Sequence, residues 1–209
     1  MEIRGTEKMK NIIKEEMNIK EFFEKYPNVA IALSGGVDSV FLVYMAKKYA
    51  KSVKAYFVKS VFQPEFEKKD AEKICRQLGV DLKILNVDVL SNKLVTDNPA
   101  NRCYYCKQGV FGTILEAAKN DGMTVILDGT NASDDADDRM KALQEMKVLS
   151  PLRMCGYVKS EIRKQSKEAG LFVYNKPSYA CLATRIPTGT EIDEEKIKQV
   201  ETAEKFLLD

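Results

Sequence analysis

The feature that most constrains the fold is a continuous apolar run that ends in a glycine loop and is followed by an apolar helix. Residues 29–33 are all apolar, which is the pattern of a strand buried on both faces of a parallel sheet. Ser34, Gly35 and Gly36 break that strand, and residues 40–50 have the composition of a mostly buried helix. A strand, a tight loop and a helix in this order predict the first unit of an α/β fold.

Strands and helices continue to alternate along the chain. Further strands are predicted at 53–58, 82–87 and 124–127, and helices at 64–79, 107–119 and 158–169. This alternation predicts the α/β class, with a doubly wound, mostly parallel sheet and helices on both faces.

Three segments are expected from the composition along the chain. A helical segment should occupy residues 1–27, and the α/β domain should occupy residues 28–173. Residues 174–209 are predicted to form an irregular loop followed by an amphipathic C-terminal helix.

The charge balance and the apolar runs exclude several classes of protein. Thirty-three basic residues against 31 acidic ones give a net charge of +2, so a strong basic field is absent and no nucleic-acid partner is expected. The longest apolar run, residues 40–46, is far too short to cross a bilayer. The N-terminus has no apolar signal-peptide core. We therefore expect a cytoplasmic protein with no membrane partner.

The chain contains no histidine and five cysteines. The absence of imidazole excludes Ser-His-Asp and Cys-His nucleophiles, histidine general bases and histidine-ligated zinc. An odd number of cysteines without a secretory signal favours a reducing compartment, where cysteines are more often ligands or nucleophiles than disulfides.

The glycine loop has the features of a phosphate-binding site. Gly35 and Gly36 carry no Cβ, so an anion can approach their backbone closely. The helix that follows directs unpaired N–H groups and the positive end of its dipole toward that anion. Ser34 and Ser39 add hydroxyl donors, and Asp38 would orient the loop or help to hold magnesium. The ending of a Walker A loop is absent, and the alternative is a plain glycine–serine turn.

The cysteines allow several interpretations. Cys103 and Cys106 form a CxxC pair, and Cys181 lies alone in the C-terminal loop. The pair suits half of a zinc site, a redox couple or part of an iron–sulfur site. Zinc would need two further ligands, whereas three cysteines on a [4Fe–4S] cluster would leave one iron open to a non-protein ligand. From spacing alone, the cluster and incidental cysteines are equally favoured.

Two further groups of polar residues are candidates for the site. Asp128, Thr130 and Asn131 follow a buried strand, where open α/β sheets bind ligands, and would contact nucleotide or magnesium. The alternative is a turn that caps a helix. Arg185 is a candidate clamp for a phosphate or carboxylate because guanidinium is bidentate and permanently charged. Its alternative is a surface ion pair, and Lys176 is a weaker candidate for the same role.

The loop resembles the PP-loop of the ATP pyrophosphatase superfamily, whose pattern is Ser-Gly-Gly-x-Asp-Ser after the first strand. Ser34, Gly35, Gly36, Asp38 and Ser39 match every fixed position. The resemblance implies an adenine nucleotide α-hydrolase-like fold. It also implies an enzyme that cleaves ATP between the α and β phosphates, adenylates a substrate oxygen and releases pyrophosphate.

Further motifs resemble one family of that superfamily, the sulfur transferases of nickel-pincer nucleotide synthesis (the LarE family of the lactate racemase system). The resemblance covers the chain from about residue 28 to its end. It implies that a carboxylate of pyridinium-3,5-biscarboxylic acid mononucleotide is adenylated and replaced by a thiocarboxylate. The matching motifs are Asn98-Pro99-x-x-Arg102-Cys103-Tyr104-x-Cys106-Lys107, Asp128-Gly129-Thr130-Asn131, Ser150-Pro151-Leu152 and residues 180–187.

The resemblance also implies roles for individual residues. Catalytic roles fall to Cys181, Asp38 and Arg185. One branch of the family sacrifices the sulfur of its only cysteine, at the position of Cys181. The other has three cysteines that hold a [4Fe–4S] cluster, and a sulfide on the open iron is the donor. This chain resembles the second branch at Cys103, Cys106 and Cys181. ATP and Mg²⁺ binding is expected from Ser34, Gly35, Gly36, Asp38, Ser39, Asp128, Thr130 and Asn131.

Family members have a further C-terminal segment that helps to bind substrate and assemble the oligomer, so a homo-oligomer is implied. Two alternatives remain open. An iron–sulfur-dependent tRNA thiolase is disfavoured by the net charge of +2. A non-catalytic iron–sulfur or redox sensor with a degenerate loop is disfavoured by the intact Ser34, Asp38 and Ser39.

Overall fold

A four-stranded parallel sheet forms the centre of the part of the chain that the structure describes. The computed structural model describes residues 17–135 and 138–208 of the chain. The strands lie in the order β3-β2-β1-β4, and every pairing is parallel, so the predicted fold class is confirmed. The strands are β1 (Asn28–Ala32), β2 (Ser52–Lys59), β3 (Asp81–Asn86) and β4 (Ile126–Leu127).

Helices connect the strands and cover both faces of the sheet. Short 3₁₀ turns span Phe172–Asn175 and Leu182–Arg185. Within the described residues the helices are α1 (Ile19–Lys25), α2 (Val37–Tyr49), α3 (Glu65–Leu78), α4 (Lys93–Thr96), α5 (Arg102–Asn120), α6 (Asp138–Glu145), α7 (Pro151–Met154), α8 (Lys159–Glu168) and α9 (Glu194–Leu208).

The alternating side chains of β1 divide the core into two layers. Val29 and Ile31 belong to the cluster formed with α1, α2, α3, α7 and α8. Ala30, which points to the opposite face, belongs to the cluster formed with α5 and α6. All three side chains are fully buried. Because strand side chains alternate between faces, this uninterrupted apolar strand is buried on both sides by helices.

The strand order reverses at β1, which places the ends of β1 and β4 side by side. Loops that follow these two strands therefore open at the same carboxyl edge, the usual ligand position in open α/β sheets. Ser34 follows β1 and Asp128 follows β4. Beyond β4, Leu127 forms a parallel bridge with Leu149, which brings Ser150 to the same edge.

A smaller apolar cluster holds the C-terminal loop against the domain. Phe62, Val89 and Val95 contribute from the first half of the chain. Leu182, Ala183, Ile186, Ile192 and Ile197 contribute from the C-terminal segment. The segment that was predicted to be irregular contains only the two short 3₁₀ turns between α8 and α9. Apolar packing and side-chain hydrogen bonds hold its backbone in place.

Several boundaries differ from those predicted. Helix α5 begins at Arg102, five positions before the predicted start at Lys107. Aromatic and cysteine residues have modest helix propensity, so this first turn carried no strong helical signal. Of the predicted N-terminal helical segment, residues 1–16 lie outside the described part of the chain. Helix α1 begins after Asn18, which forms a capping box with Glu21.

Within the described residues, no helix combines the length and the apolar character needed to cross a bilayer.

Candidate functional site

The loop after β1 strongly favours glycine at its first bend. Gly35 has a φ of +80°, a conformation that side chains with a Cβ rarely adopt. A Cβ at this position would also lie 2.9 Å from the backbone oxygen of Glu67. Helix α2 begins at Val37, and its N-cap residue, Gly36, has no side chain with which to cap it. Its first N–H groups are therefore available to an anion.

Two serines fix the shape of this loop. The Ser39 hydroxyl donates to the Gly36 carbonyl at 3.1 Å and accepts from the Ser34 N–H at 3.2 Å. The two hydroxyl oxygens lie 3.1 Å apart, and since Ser39 already donates elsewhere, Ser34 is the donor between them. The serines thus hold the loop in place around the start of α2.

Asp38 forms an ion pair with a lysine that is distant in the sequence. Lys159, at the start of α8, donates to the Asp38 Oδ2 atom. The Oδ1 atom of the same carboxylate is buried and has no hydrogen-bond partner among the described residues. One oxygen is therefore paired with an ammonium group, and the other can still accept a hydrogen bond or bind a cation.

The turn after β4 is organised around Asp128. Its Oδ1 accepts from the Ser150 hydroxyl at 2.5 Å, and its Oδ2 accepts from the Thr130 hydroxyl and from the Thr130 N–H at 3.3 Å. Gly129 then passes close to α2, since a Cβ there would lie 2.7 Å from the Ser39 backbone nitrogen. Both carboxylate oxygens of Asp128 are engaged, so this residue shapes the turn that contacts the loop.

One cavity joins the loop to the cysteines. Its volume is about 290 Å³. The sequence-predicted residues that line it are Ser34, Gly36, Asp38, Ser39, Asp128, Thr130, Cys103, Cys106 and Cys181, and it also takes in Gly129, Arg102, Lys107, Asp134 and Arg139. Two groups of residues that were predicted from separate motifs therefore share one space.

The three cysteines of the cavity differ in exposure. Cys103 is exposed on the first turn of α5, whereas Cys106 and Cys181 are partly buried against the C-terminal apolar cluster. Burial raises the pKa of the Cys106 thiol to about 11 and also raises the pKa of Cys181. In the part of the chain that the structure describes, no three His, Cys, Asp or Glu side chains are close enough to hold a metal ion together.

Comparison with known proteins identifies the family. The model of the PP-loop domain matches residues 4–169, well over half of the chain. The chain belongs to the PP-loop family. The Ser34–Ser39 segment is therefore its PP-loop, at the position after β1 where the structure places it.

Three relatives show how this PP-loop chain compares with longer proteins. An uncharacterised protein of Synechocystis is 34% identical over 91% of this chain and 72% of its own length. The pyridinium-3,5-bisthiocarboxylic acid mononucleotide synthase of Lactiplantibacillus plantarum is 30% identical over 86% of this chain and 66% of its own length. A tRNA-specific 2-thiouridylase of Pseudothermotoga lettingae is 28% identical over 78% of this chain and 57% of its own length. The chain thus spans just under two thirds of the synthase.

Three predicted site residues do not line the cavity of this PP-loop protein. Arg185 donates from Nε to Glu204 at 2.5 Å and from Nη1 to the Thr184 hydroxyl at 2.7 Å. Asn131 is buried and accepts from the Ser133 N–H at 2.7 Å, which closes a turn. Gly35 is on the side of the loop that faces the Glu67 backbone. A ligand role for Arg185 or Asn131 would require these contacts to change.

Two lysines reach the PP-loop from the C-terminal half of the chain. Lys159 was not singled out from the sequence, and Lys176 was considered only a weak candidate. Lys176 donates to the Gly35 carbonyl at 3.1 Å and to Asp70 at 2.6 Å. No sequence signal pointed to Lys159, because its partner Asp38 lies 121 positions away.

Proposed function

We propose that this chain is an ATP-dependent sulfur transferase that converts a carboxylate of pyridinium-3,5-biscarboxylic acid mononucleotide into a thiocarboxylate. The observation that carries the proposal is the shared cavity, in which the PP-loop and three thiols face one space. The relative named as a synthase of the bisthiocarboxylic acid mononucleotide supports this choice of substrate. Its product carries sulfur where the proposed substrate carries oxygen.

The first half-reaction is activation of the carboxylate. The pyrophosphate part of ATP lies on the PP-loop, where the first N–H groups of α2 stabilise its charge. A carboxylate oxygen attacks the α-phosphorus, and the bond to the bridging oxygen of the β-phosphate breaks. The products of this step are an acyl adenylate and pyrophosphate. The substrate is already an anion, so a chain without histidine needs no general base for this attack.

The second half-reaction replaces the adenylate by sulfur. A sulfur nucleophile at the cysteine end of the cavity attacks the activated carbon, and AMP leaves with the oxygen that linked it. The order of the two steps follows from the chemistry, since a free carboxylate has no adequate leaving group. Lys159 and Lys176 hold the PP-loop while both steps proceed.

The residues present fit the two inorganic groups that this chemistry needs. The buried Oδ1 of Asp38 is the hard oxygen ligand that Mg²⁺ prefers, and Asp38 would hold the ion that neutralises the phosphates. Cys103, Cys106 and Cys181 do not converge on a single ion, but they line one cavity. Each thiolate of a [4Fe–4S] cluster would bind a different iron, so this all-thiol set fits such a cluster. Such a cluster, when bound, would supply sulfide from the one iron that has no protein ligand.

The products of ATP cleavage test this function. With ATP, Mg²⁺, the pyridinium substrate and sulfide, we expect AMP and pyrophosphate by anion-exchange chromatography. When sulfide is withheld, pyrophosphate and an acyl adenylate should form in place of AMP. Asp38→Ala and Ser39→Ala should abolish this activity while the far-ultraviolet circular dichroism spectrum stays unchanged. Ser160→Ala is the matched control, because Ser160 is an exposed serine on the first turn of another helix. ADP and phosphate as main products would refute the proposal.

A tRNA thiolase is the second candidate, because a tRNA-specific 2-thiouridylase is among the relatives. The same loop and cavity would then activate a base oxygen of tRNA. A gel shift with unmodified tRNA at physiological salt decides between the two. We expect no shift, since a net charge of +2 provides little attraction for phosphates. Tight binding with thiolation of tRNA would favour the second candidate.

A further inference from the structure

Asn98 and Arg102 link the two segments that carry the cysteines. Arg102 directly precedes Cys103, and its Nη1 atom donates to the Ala183 carbonyl, two residues beyond Cys181, at 3.0 Å. This single hydrogen bond joins the neighbours of two cysteines that are almost 80 positions apart in the chain. The same Nη1 atom donates to the Asn98 Oδ1 atom at 2.5 Å.

Asn98 extends the link along the C-terminal loop. Its side-chain nitrogen lies 3.3, 2.8 and 3.1 Å from the carbonyl oxygens of Ile186, Pro187 and Thr190. The backbone is shaped for this contact, because Asn98 has a φ of +51°, a conformation that asparagine tolerates better than most residues. Its own carbonyl accepts from the Gly189 N–H at 2.9 Å.

Both residues are more buried than their polarity would predict. Asn98 is 1% exposed and Arg102 is 8% exposed. A buried guanidinium is costly unless its donors are satisfied, and here two acceptors at fixed positions satisfy one of its nitrogens. Arg102 also lines the cavity beside Cys103, Cys106 and Cys181. The link therefore lies at the cysteine end of the site and not in a remote part of the core.

We propose that Asn98 and Arg102 are positioning residues that hold Cys181 next to Cys103 and Cys106. This role rests on the proposed function in one respect, which is that the three thiols act together. Apolar packing of Leu182 and Ala183 holds the loop on the domain, but such packing has no direction. The hydrogen bonds of Arg102 set the position of the loop along α5, and with it the separation of the thiols.

Cross-linking in the apo protein tests the separation directly. Reduced protein is treated without oxygen with a short bis-alkylating bimane, and linked peptides are counted by mass spectrometry. The measured quantity is the ratio of links from Cys181 to the CxxC pair over links within the pair. The second kind of link is an internal reference, because Cys103 and Cys106 lie on one turn of α5.

In Arg102→Met we expect this ratio to fall about tenfold, the effect of losing the charge-assisted hydrogen bond to the Ala183 carbonyl. Arg102→Lys should give an intermediate ratio, because an ammonium group can donate to one acceptor but does not reproduce the guanidinium geometry. Arg163→Met is the matched control and should leave the ratio unchanged. Arg163 also donates to two carbonyls of the C-terminal segment, those of Tyr174 and Lys176, but upstream of Cys181.

An unchanged ratio in folded Arg102→Met would overturn the proposal. If that variant fails to fold, a wild-type ratio in Arg102→Lys overturns it instead. The cross-link needs neither iron nor ATP, so this result is independent of the proposed function. Iron and sulfide counts on the reconstituted wild-type protein test the cluster separately.

Discussion

Gly129 tests how closely the turn after β4 packs against the first turn of α2, which follows β1. Its φ lies outside the left-handed region, so the backbone conformation itself does not require glycine. The requirement is spatial: a Cβ would lie 2.7 Å from the Ser39 nitrogen, 2.9 Å from its Cα and 3.2 Å from the Asp38 carbonyl carbon. All three are backbone atoms of the first turn of α2, which cannot turn aside as a flexible side chain can.

Gly129→Ala must therefore push the turn after β4 away from the PP-loop. Overpacking of this kind costs about 1–3 kcal/mol, which for a chain of this size lowers the melting temperature by about 2–12 °C. We expect that fall by circular dichroism, together with weaker ATP binding by calorimetry, because the displaced turn holds the N-terminus of α2.

The matched control is Gly112→Ala in the interior of α5, where a Cβ meets no atom of the described residues within 4 Å. This variant should gain about 0.5–1 kcal/mol from the higher helix propensity of alanine. A Gly129→Ala protein that melts at the wild-type temperature and binds ATP normally would refute the reasoning, because the close approach would then have no energetic consequence.

Three other predictions concern pH, iron and turnover. Burial raises the pKa of Glu67 to about 7 from an ordinary value of 4.5, so the folded chain retains a proton that the unfolded chain loses. The free energy of unfolding should therefore fall as the pH rises from 4.5 to 7. Urea unfolding of Glu67→Gln should no longer show this fall. Anaerobic reconstitution should give about four irons per chain; alanine at Cys103, Cys106 or Cys181 should abolish binding and alanine at Cys75 or Cys155 should not, whereas a stable zinc protein with no brown form would contradict the cluster. With ATP, Mg²⁺, substrate and sulfide we expect more than one thiocarboxylate per chain and an intact Cys181 by mass spectrometry; stoichiometric dehydroalanine at that position, with product limited to one per chain, would show that the cysteine is sacrificed.

Local patterns were enough to predict the fold. The apolar run of β1, the glycines after it and the regular alternation of strands and helices predicted a parallel sheet with helices on both faces, and the structure confirms it. These signals lie within windows of about a dozen residues. The position of the PP-loop followed from the same local pattern, because phosphate loops are built from one strand end and one helix start.

Long-range contacts account for what the sequence did not predict. The pairing of Lys159 with Asp38 spans 121 positions, and that of Lys176 with Gly35 spans 141. Neither pair has a sequence spacing that could reveal it. Asp128 was predicted to contact nucleotide or magnesium, and its full set of hydrogen bonds to Ser150 and Thr130 could be seen only once Leu149 was placed beside β4.

The contact of Lys176 with Gly35 also limits how far apart the two proposed chemical steps could take place. Lys176 is anchored on the PP-loop, and Cys181 follows it by five residues in the same segment. Five residues of fully extended chain span at most about 18 Å. In the proposed reaction, this short tether would keep the place where the adenylate forms within reach of Cys181. The reactive mixed anhydride would not need to diffuse between two sites, and water would have little time to hydrolyse it before sulfur arrives.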